Sequence, residues 1–568
     1  LFTIFNILIL KLRYTSAHRY SNLGEKAMSD NYQAMRDEFS LEIPSTYNFA
    51  FDLVEKRAKE DPNKVAYIAV SRDGEQVEEH TFAKLNAKAN RFANGLRSLG
   101  CKKGDFACVV IARIPAWYEV LVGAMKVGVV SMPGTNLLTA HDLEYRINRA
   151  GAKLAIVTAE HAEKIEEIKE KCPTLEHLII IGEDRDGWVN FETLCTQNSD
   201  ELSRDDVEPT GADDMMLIYF TSGTTSMPKM VPRDFSYGLA HAITGKYWMD
   251  LSDGDVHWTL TDTGWAKAAW GMLFPPMLMG ATIVLYDGDG RFDGDFHLKL
   301  IERLNVTSFC APPTVYRVFA QMDLTPYNLD SLKHCIGAGE PLNPEVMRTW
   351  KEATGCDVYD GYGQTETVNI VANYKGMEIR PGSMGKPVPG LTVDVVDDDG
   401  NIVADDTVGH IAVKMTEQYP YGLFKGYFKD EAANAKCFSN GWYYTGDTAT
   451  RDKDGYIWFV GRSDDVITSS GYRISPFEVE SALIEHPAVA ESAVVAKPDE
   501  MRGEIVKAYV TLAEGYEGSD ELEKEIQDFV KHLTAPYKYP REIEFRDALP
   551  KTISGKIRRV ELRDEAKA

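Results

Sequence analysis

The feature that most constrains this chain is a recurring alternation of short, continuous apolar runs with longer segments of helical period. Phe106–Ala112 (FACVVIA), Lys153–Val157 with Thr158, His177–Ile181, Met215–Phe220 (MMLIYF), Ala281–Tyr286, Ser308–Ala311 and Lys333–Gly337 are runs of the first kind. A strand apolar at every position is covered on both faces. Phe82–Leu99 and Ala116–Val127 repeat apolar residues at three and four, as amphipathic helices do, and Ala162–Lys171 reads as a charged helix. The alternation predicts parallel sheets covered by helices, which is the α/β class. Beyond about Gly390 the pattern changes. Thr392–Val396, His410–Lys414 and Tyr456–Val460 are short alternating strands punctuated by Asp-Gly turns at 397–400 and 452–455. The last segment mixes a helix at Pro476–Glu485, strands at Glu491–Ala496 and Val506–Leu512, and a charged helix at Asp520–Leu533.

Charge and cysteine usage narrow the class of partner. Lys and Arg number 62 against 87 Asp and Glu, a net charge of −25. That balance argues against nucleic acid, whose phosphates require clustered basic residues. It leaves room for one local basic site that takes a small anion. The eight cysteines form no CxxC and no zinc spacing, so reduced thiols in a cytoplasmic protein are expected. The apolar stretch Leu1–Leu12 falls far short of the roughly 20 residues that span a bilayer, and no other segment could cross one. Lys11, Arg13 and Arg19 precede the first acidic residue, Glu25, so a presequence for the mitochondrial matrix is the alternative. Met28-Ser-Asp reads as a natural start, which would make the residues to about 27 a translated ribosome-binding region.

The most informative loop is Thr221-Ser222-Gly223-Thr224-Thr225-Ser226-Met227-Pro228-Lys229, placed directly after a buried strand. Backbone N–H groups and hydroxyls can cradle phosphate oxygens there, with Lys229 as counter-charge. It is not the GxxxxGK[ST] pattern, since its Lys follows a Pro.

Five further motifs follow in order: YGQTET at 362–367, YTGD at 444–447, GRSDD at 461–465, SSGYRISPFEVE at 469–480 and PKTISGKIRR at 550–559. With the loop they resemble the signature set of the adenylate-forming superfamily of acyl-CoA synthetases, adenylation domains and luciferases. The resemblance covers about residues 45–560. The stretches DTGW, SSGYRI, EHPAV and TAPYKYPR bring it nearest to medium-chain acyl-CoA synthetases of the AMP-forming kind. It implies a large N-terminal adenylation domain of parallel sheets with a β-rich subdomain over 46–463. A small mobile α+β domain over 464–568 and an N-terminal extension over 1–45 complete the expected organisation.

The resemblance also implies a reaction and its parts. A carboxylic acid attacks ATP to give an acyl-adenylate and pyrophosphate, and CoA then takes the acyl group. A carrier-protein thiol in place of CoA, or an aryl acid, is the alternative. The loop residues Thr221, Ser222, Gly223, Thr224, Thr225 and Lys229 should hold the distal phosphates. Ser226 stands where most members carry Gly, which puts the tightness of ATP binding in doubt. Thr365 should meet the α-phosphate and Glu366 should bind magnesium, since one carboxylate plus phosphate oxygens is a usual arrangement for that ion. Gly339, Glu340 and Pro341 with Asp360, Gly361 and Tyr362 should form the adenine slot, the Tyr362 ring stacking on the base, and Gly363 and Gln364 should also bind the nucleotide. Asp447 should take the ribose hydroxyls with Arg462 beside it, and Arg473 should meet a phosphate. Lys556 is implied as the catalytic cation that reaches the carboxylate and the α-phosphate.

Asp464 is implied as the hinge for two orientations of the small domain, with Ser470, Gly471 and Tyr472 lining a pantetheine tunnel. Arg502, Tyr539 and Arg541 are the expected contacts for the nucleotide end of CoA. Trp248, Trp265, Lys267, Trp270, Cys310, Ala338 and Gly363 should wall the acyl pocket. Gly363 and Ala338 stand where acetyl-activating members carry a Trp and a Val, so a wider cavity is expected and acetate should be poor. Lys267 beside two tryptophans could snorkel out, pair with a carboxylate or limit chain length. ATP, magnesium, CoA and a small carboxylic acid are the implied ligands, and the reading allows a homodimer.

Overall fold

The computed structural model describes residues 32–221, 227–288, 292–339, 342–470, 472–551 and 557–567; for Arg473 it describes the backbone alone. Two large sheets dominate. In a seven-stranded sheet, Val189–Asn190, His177–Ile181, Leu154–Thr158, Phe106–Val110, Val130–Pro133 and Met215–Phe220 run parallel, and Met230–Asp234 closes the edge antiparallel. In a nine-stranded sheet the parallel centre is Val358–Gly363, His334–Gly337, Ser308–Ala311, Val256–Thr259, Thr282–Tyr286 and Val65–Val70. Antiparallel strands flank it on both sides, Asn369–Ala372 with Lys386–Pro387 at one edge and Val77–Thr81 at the other. Parallel sheets alone were expected from the apolar runs. Two of the antiparallel pairs are joined by short returns, Val70 to Val77 and Gly363 to Asn369, which a parallel pair cannot use.

Burial explains the apolar runs. Inner faces of both sheets share one core, in which the helices Phe82–Ser98 and Pro115–Val127 pack through Phe92, Leu96, Trp117 and Leu121. The outer faces have their own cores: Leu298, Ile301 and Phe319 on the nine-stranded sheet, Leu143, Ile147 and Ile165 on the other. The helix Ala140–Ala150 starts in a capping box, Thr139 and Asp142 each satisfying the other's backbone N–H, and ends at the left-handed Gly151. Ala162–Lys171 is not one helix. It is α-helical over Ala162–Ile168 and tightens to a 3-10 turn at Lys169–Lys171.

Strands Val393–Val396, Gly409–Lys414, Phe438–Ser439, Trp442–Arg451 and Ile457–Arg462 form the β-rich unit, all antiparallel. After it the chain builds a separate sheet from Ile467–Ser469, Tyr472–Ile474, Val489–Asp499, Gly503–Leu512 and Glu542–Phe545. Period-two alternation along Val489–Asp499 divides its residues between two cores. Val494 joins Val479, Leu483, Ile526 and Val530 on one side, while Ala493 and Val495 join Leu549 and Leu562 on the other. No helix among the described residues is long and apolar enough to cross a membrane.

One glycine is demanded by backbone approach. A Cβ on Gly264 would lie 1.9 Å from the backbone nitrogen of Thr135, so no side chain fits where the loop before Trp265 crosses the end of Val130–Pro133. Gly264→Ala should destabilise the protein by about 3 kcal/mol, the upper range for overpacking, as a lowered midpoint in thermal or urea unfolding.

Candidate active site

Thr221, Gly339 and the residues following Val358–Gly363 stand at or just past the carboxyl ends of parallel strands, where open α/β sheets place their ligands. Met215–Phe220 delivers Thr221, and Met230–Asp234 returns antiparallel from Lys229. The base of the loop is closed by Thr221 N–H to the Lys229 carbonyl at 3.0 Å and by Lys229 N–H to Thr221 Oγ1 at 3.3 Å. Ser222, Gly223, Thr224, Thr225 and Ser226 lie outside the described residues, as do Glu340, Pro341, Gly471 and Lys556. His334–Gly337 leads into Gly339, whose φ of +111° favours glycine and whose missing side chain faces open space.

Val358–Gly363 carries the next group. Asp360 is buried, and burial pushes its carboxyl up to about 7 although it accepts the N–H groups of Gly361 and Leu342. Beyond the strand, Asp447 is the centre of a compact polar cluster. It accepts Tyr362 Oη at 2.5 Å and Gln364 Nε2 at 2.7 Å, both on Oδ2. Arg462 Nη1 stands 3.2 Å from its other oxygen, because the antiparallel register sets Asp447 opposite Arg462. The Asp447 charge raises the Arg462 guanidinium above its ordinary range. Gln364 also donates to the Thr445 carbonyl at 2.9 Å and accepts Tyr443 Oη at 3.1 Å. Tyr362 therefore points its hydroxyl at Asp447.

Thr365 and Glu366 follow in the turn. Glu366 is buried, which raises its carboxyl, and its Oε1 accepts Tyr427 Oη at 2.8 Å. The Lys229 ammonium sits 4.7 Å from the centre of the same Tyr427 ring. Tyr427 thus joins the phosphate loop to the acidic residue expected to bind magnesium. Asn434 holds its backbone from both sides, accepting its N–H at 2.6 Å and donating to its carbonyl at 3.0 Å. The buried Arg233 donates to the Glu366 carbonyl at 2.8 Å and lies 3.7 Å from the Tyr237 ring centre. Tyr427, Asn434 and Arg233 were not read from the sequence, where no spacing sets them apart. A tyrosine in the GYF step at 426–428 was the one available signal. Glu366 suits magnesium, since a single carboxylate with Oε2 outside the Tyr427 bond can share the ion with phosphate oxygens. Among the described residues no three acidic, His or Cys groups form a metal cluster.

The acyl-pocket residues come together, with one correction. Trp248 and Trp270 meet edge to face at 6.3 Å, Trp248 donating to the Tyr359 carbonyl and Trp270 to Tyr237 Oη. Trp265 is the N-cap of the short helix Ala266–Ala268, and Trp270 lies in the π-helical turn after it. The space expected beside Gly363 is taken. A Cβ there would be 2.4 Å from Trp270 Cη2 and 2.5 Å from the Val368 carbonyl oxygen, so the indole edge fills what the missing side chain vacates. Lys267 donates to the Ala338 carbonyl at 3.2 Å, and its charge opposes the burial that pushes the Cys310 thiol up. It marks the polar end of this group.

On the small domain Ser470 has φ +50°, its N–H bonded to the Arg502 carbonyl at 2.9 Å. Tyr472 is half exposed and stacks at 4.2 Å on Tyr537, a partner the sequence reading passed over. Arg541 donates to Tyr539 Oη at 2.9 Å. Asp464 occupies the turn between the β-rich unit and the last sheet.

The chain is similar to known proteins along most of its length. The family model described as AMP-binding enzyme matches residues 54–428, and that of the AMP-binding enzyme C-terminal domain matches 478–556. The chain is 45% identical over 544 residues to the mitochondrial acyl-coenzyme A synthetase ACSM3 of Rattus norvegicus, covering 94% of this chain and 93% of that protein. Its fold superposes on an anthranilate CoA ligase, AuaEII, solved with anthranoyl-AMP (TM-score 0.84, 32% identity, 92% and 98% of the two chains). A benzoate CoA ligase from Burkholderia xenovorans LB400 is also similar, with a TM-score of 0.79 and 28% identity over 91% and 100%.

Asp360 supplies a pH signature. A carboxyl raised by folding binds its proton more tightly in the native state, so stability falls as pH rises between its ordinary 3.8 and about 7. Urea unfolding at pH 5 and pH 8 should show the wild type losing more stability than Asp360→Asn over that interval.

Proposed function

The chain belongs to the AMP-binding enzyme family, and from that premise we propose that it is an AMP-forming acyl-CoA synthetase of the medium-chain kind. The observation that carries the reading is the Asp447 cluster with Glu366 and Lys229 beside it. These residues offer an acceptor for hydroxyls, a carboxylate suited to a metal–phosphate complex and a cation around the turn that follows Val358–Gly363. In the proposed reaction a carboxylate oxygen attacks the α-phosphorus of ATP, the bond to pyrophosphate breaks, and an acyl-adenylate forms. The sulfur of CoA then attacks the acyl carbon and AMP leaves. The first step needs chiefly alignment and charge stabilisation.

Asp447 and Arg462 take the ribose hydroxyls, and Tyr362 with Gly339 and Asp360 bounds the base. The Thr221–Lys229 loop holds the distal phosphates, and Thr365 lies toward the α-phosphate. Glu366, steadied by Tyr427, would share magnesium with the phosphates; the ion supplies charge neutralisation there. Lys556 brings the mobile cation, and Asp464 is the pivot between the body over 46–463 and the small domain over 464–568. Ser470, Gly471 and Tyr472 line the thiol path. Arg473 would meet a phosphate, and Arg502, Tyr539 and Arg541 would contact the nucleotide end of CoA.

Medium-chain and branched short-chain acids are the proposed substrates. The aryl-CoA ligases among the similar structures favour an aryl acid as the second reading. The word mitochondrial in the rat relative's name favours the matrix alternative over the cytoplasm. The test is a panel of straight, branched and aromatic acids from two to twelve carbons, assayed for CoA-dependent release of AMP and pyrophosphate. Turnover should peak at medium or branched short chains with acetate poor; no turnover with any acid would overturn the proposal. Lys556→Ala should slow acid-dependent exchange of pyrophosphate into ATP by about 100-fold or more, the scale set by an oxyanion-stabilising group. Thioester formation from supplied acyl-adenylate should be largely retained.

A further inference from the structure

The segment joining the two bodies is clamped on both sides. Ser463 and Asp464 form the middle of a turn closed by Asp465 N–H to the Arg462 carbonyl at 3.0 Å. On the leading side Ser463 belongs to the β-rich unit. Its N–H and its hydroxyl both donate to the Gly446 carbonyl, each at 3.0 Å, and the hydroxyl also meets His410 Nδ1 at 3.3 Å. On the trailing side Arg563 Nη1 donates to the Asp464 carbonyl at 2.5 Å and to Asp465 Oδ1 at 2.5 Å. The Asp464 carbonyl shares a rigid peptide plane with the nitrogen of Asp465. Arg563 therefore fixes that plane to the small domain. Between the clamps there remain ψ of Ser463, φ and ψ of Asp464, and the one turn hydrogen bond that rotation must break.

Arg563 is carried by the helix Arg559–Lys567, seven positions after Lys556. That helix is itself well seated. Leu562 and Ala566 enter the core of the last sheet, and Arg559 grips Glu480 through two bonds of 3.1 and 2.6 Å. Glu480 Oε1 in turn accepts the Val494 N–H of that sheet at 2.7 Å. The tunnel loop is anchored elsewhere, through Ser470 N–H to the Arg502 carbonyl at 2.9 Å and Arg502 Nη1 to Ser470 Oγ at 3.4 Å.

We propose that Arg563 is a positioning residue for adenylation: it confines the inter-domain rotation to ψ of Ser463 and the torsions of Asp464, and ties the helix that follows Lys556 in sequence to that pivot. This rests on the two-orientation reading of the proposed function. A guanidinium suits the task because one fork reaches a carbonyl and a carboxylate together, which an ammonium on a flexible stem does not reproduce.

The test uses the full chain with Arg563→Ala and Arg563→Lys. In Arg563→Ala the maximal rate of acid-dependent pyrophosphate exchange should fall about tenfold, as misplacement of a reacting group well under 1 Å would do. KM for ATP and acid should change less than about twofold, and thioester formation from supplied acyl-adenylate less than about twofold. Arg563→Lys should recover part of the exchange rate. Amide hydrogen exchange at Asp464–Val466 should accelerate in Arg563→Ala while that of Val494 and Tyr509 does not, a readout independent of turnover. Equal loss in both half-reactions, tracking a fall in melting temperature, would overturn the proposal, as would unchanged exchange at the pivot amides. A wild type inactive with every acid would instead overturn the enzymatic reading, and the amide exchange would still decide the clamp.

Discussion

A single buried carboxylate holds the working parts of this molecule in register. Asp447 sits on a strand of the β-rich unit, accepts Tyr362 and Gln364 from the end of the nine-stranded sheet, and faces Arg462 on the strand that leads to Asp464. The β-rich unit and the nine-stranded sheet, which contribute to one core, are thus referenced to two oxygen atoms. Hydrogen bonds to a charged group contribute roughly 1.5–3 kcal/mol each. The larger effect is negative: Asp447 without these partners would be an uncompensated buried charge, and that asymmetry forces the strand ends together.

The two acidic groups nearby show how burial is put to different use. Asp360 has only backbone N–H partners, and burial carries its carboxyl far from its ordinary range. Glu366 is as deeply enclosed, yet the Tyr427 hydroxyl pulls against desolvation. Tyr427 itself is set by Asn434, which bonds its N–H and carbonyl much as a neighbouring strand would. Side-chain recognition of backbone here replaces a sheet edge and orients an aromatic ring under Lys229.

Elements that are buried on both faces were legible from the sequence, because such burial leaves an unbroken apolar run: His177–Ile181, Met215–Phe220 and Ser308–Ala311 form as read. The residues expected to face the nucleotide stood out in the motifs. Arg462 and Asp447 stand 15 positions apart in GRSDD and YTGD, and a register in one hairpin makes them neighbours. What stayed hidden depends on partners distant in sequence. Tyr427 matters through Glu366, 61 positions away, and Arg563 through Asp465, 98 away. The antiparallel sheet edges and the filling of the space beside Gly363 by Trp270 are of the same kind, set by packing that no local period records.

The contact between Gly363 and Trp270 has a consequence for how such a protein can change over generations. Any Cβ at 363 collides with the indole and with the Val368 carbonyl, while a smaller residue at 270 alone opens a void against a bare strand. Neither position can drift by itself without loss. A lineage changing the size of either residue would have to move both sites together with a tilt of that carbonyl, so this contact should be inherited as a unit.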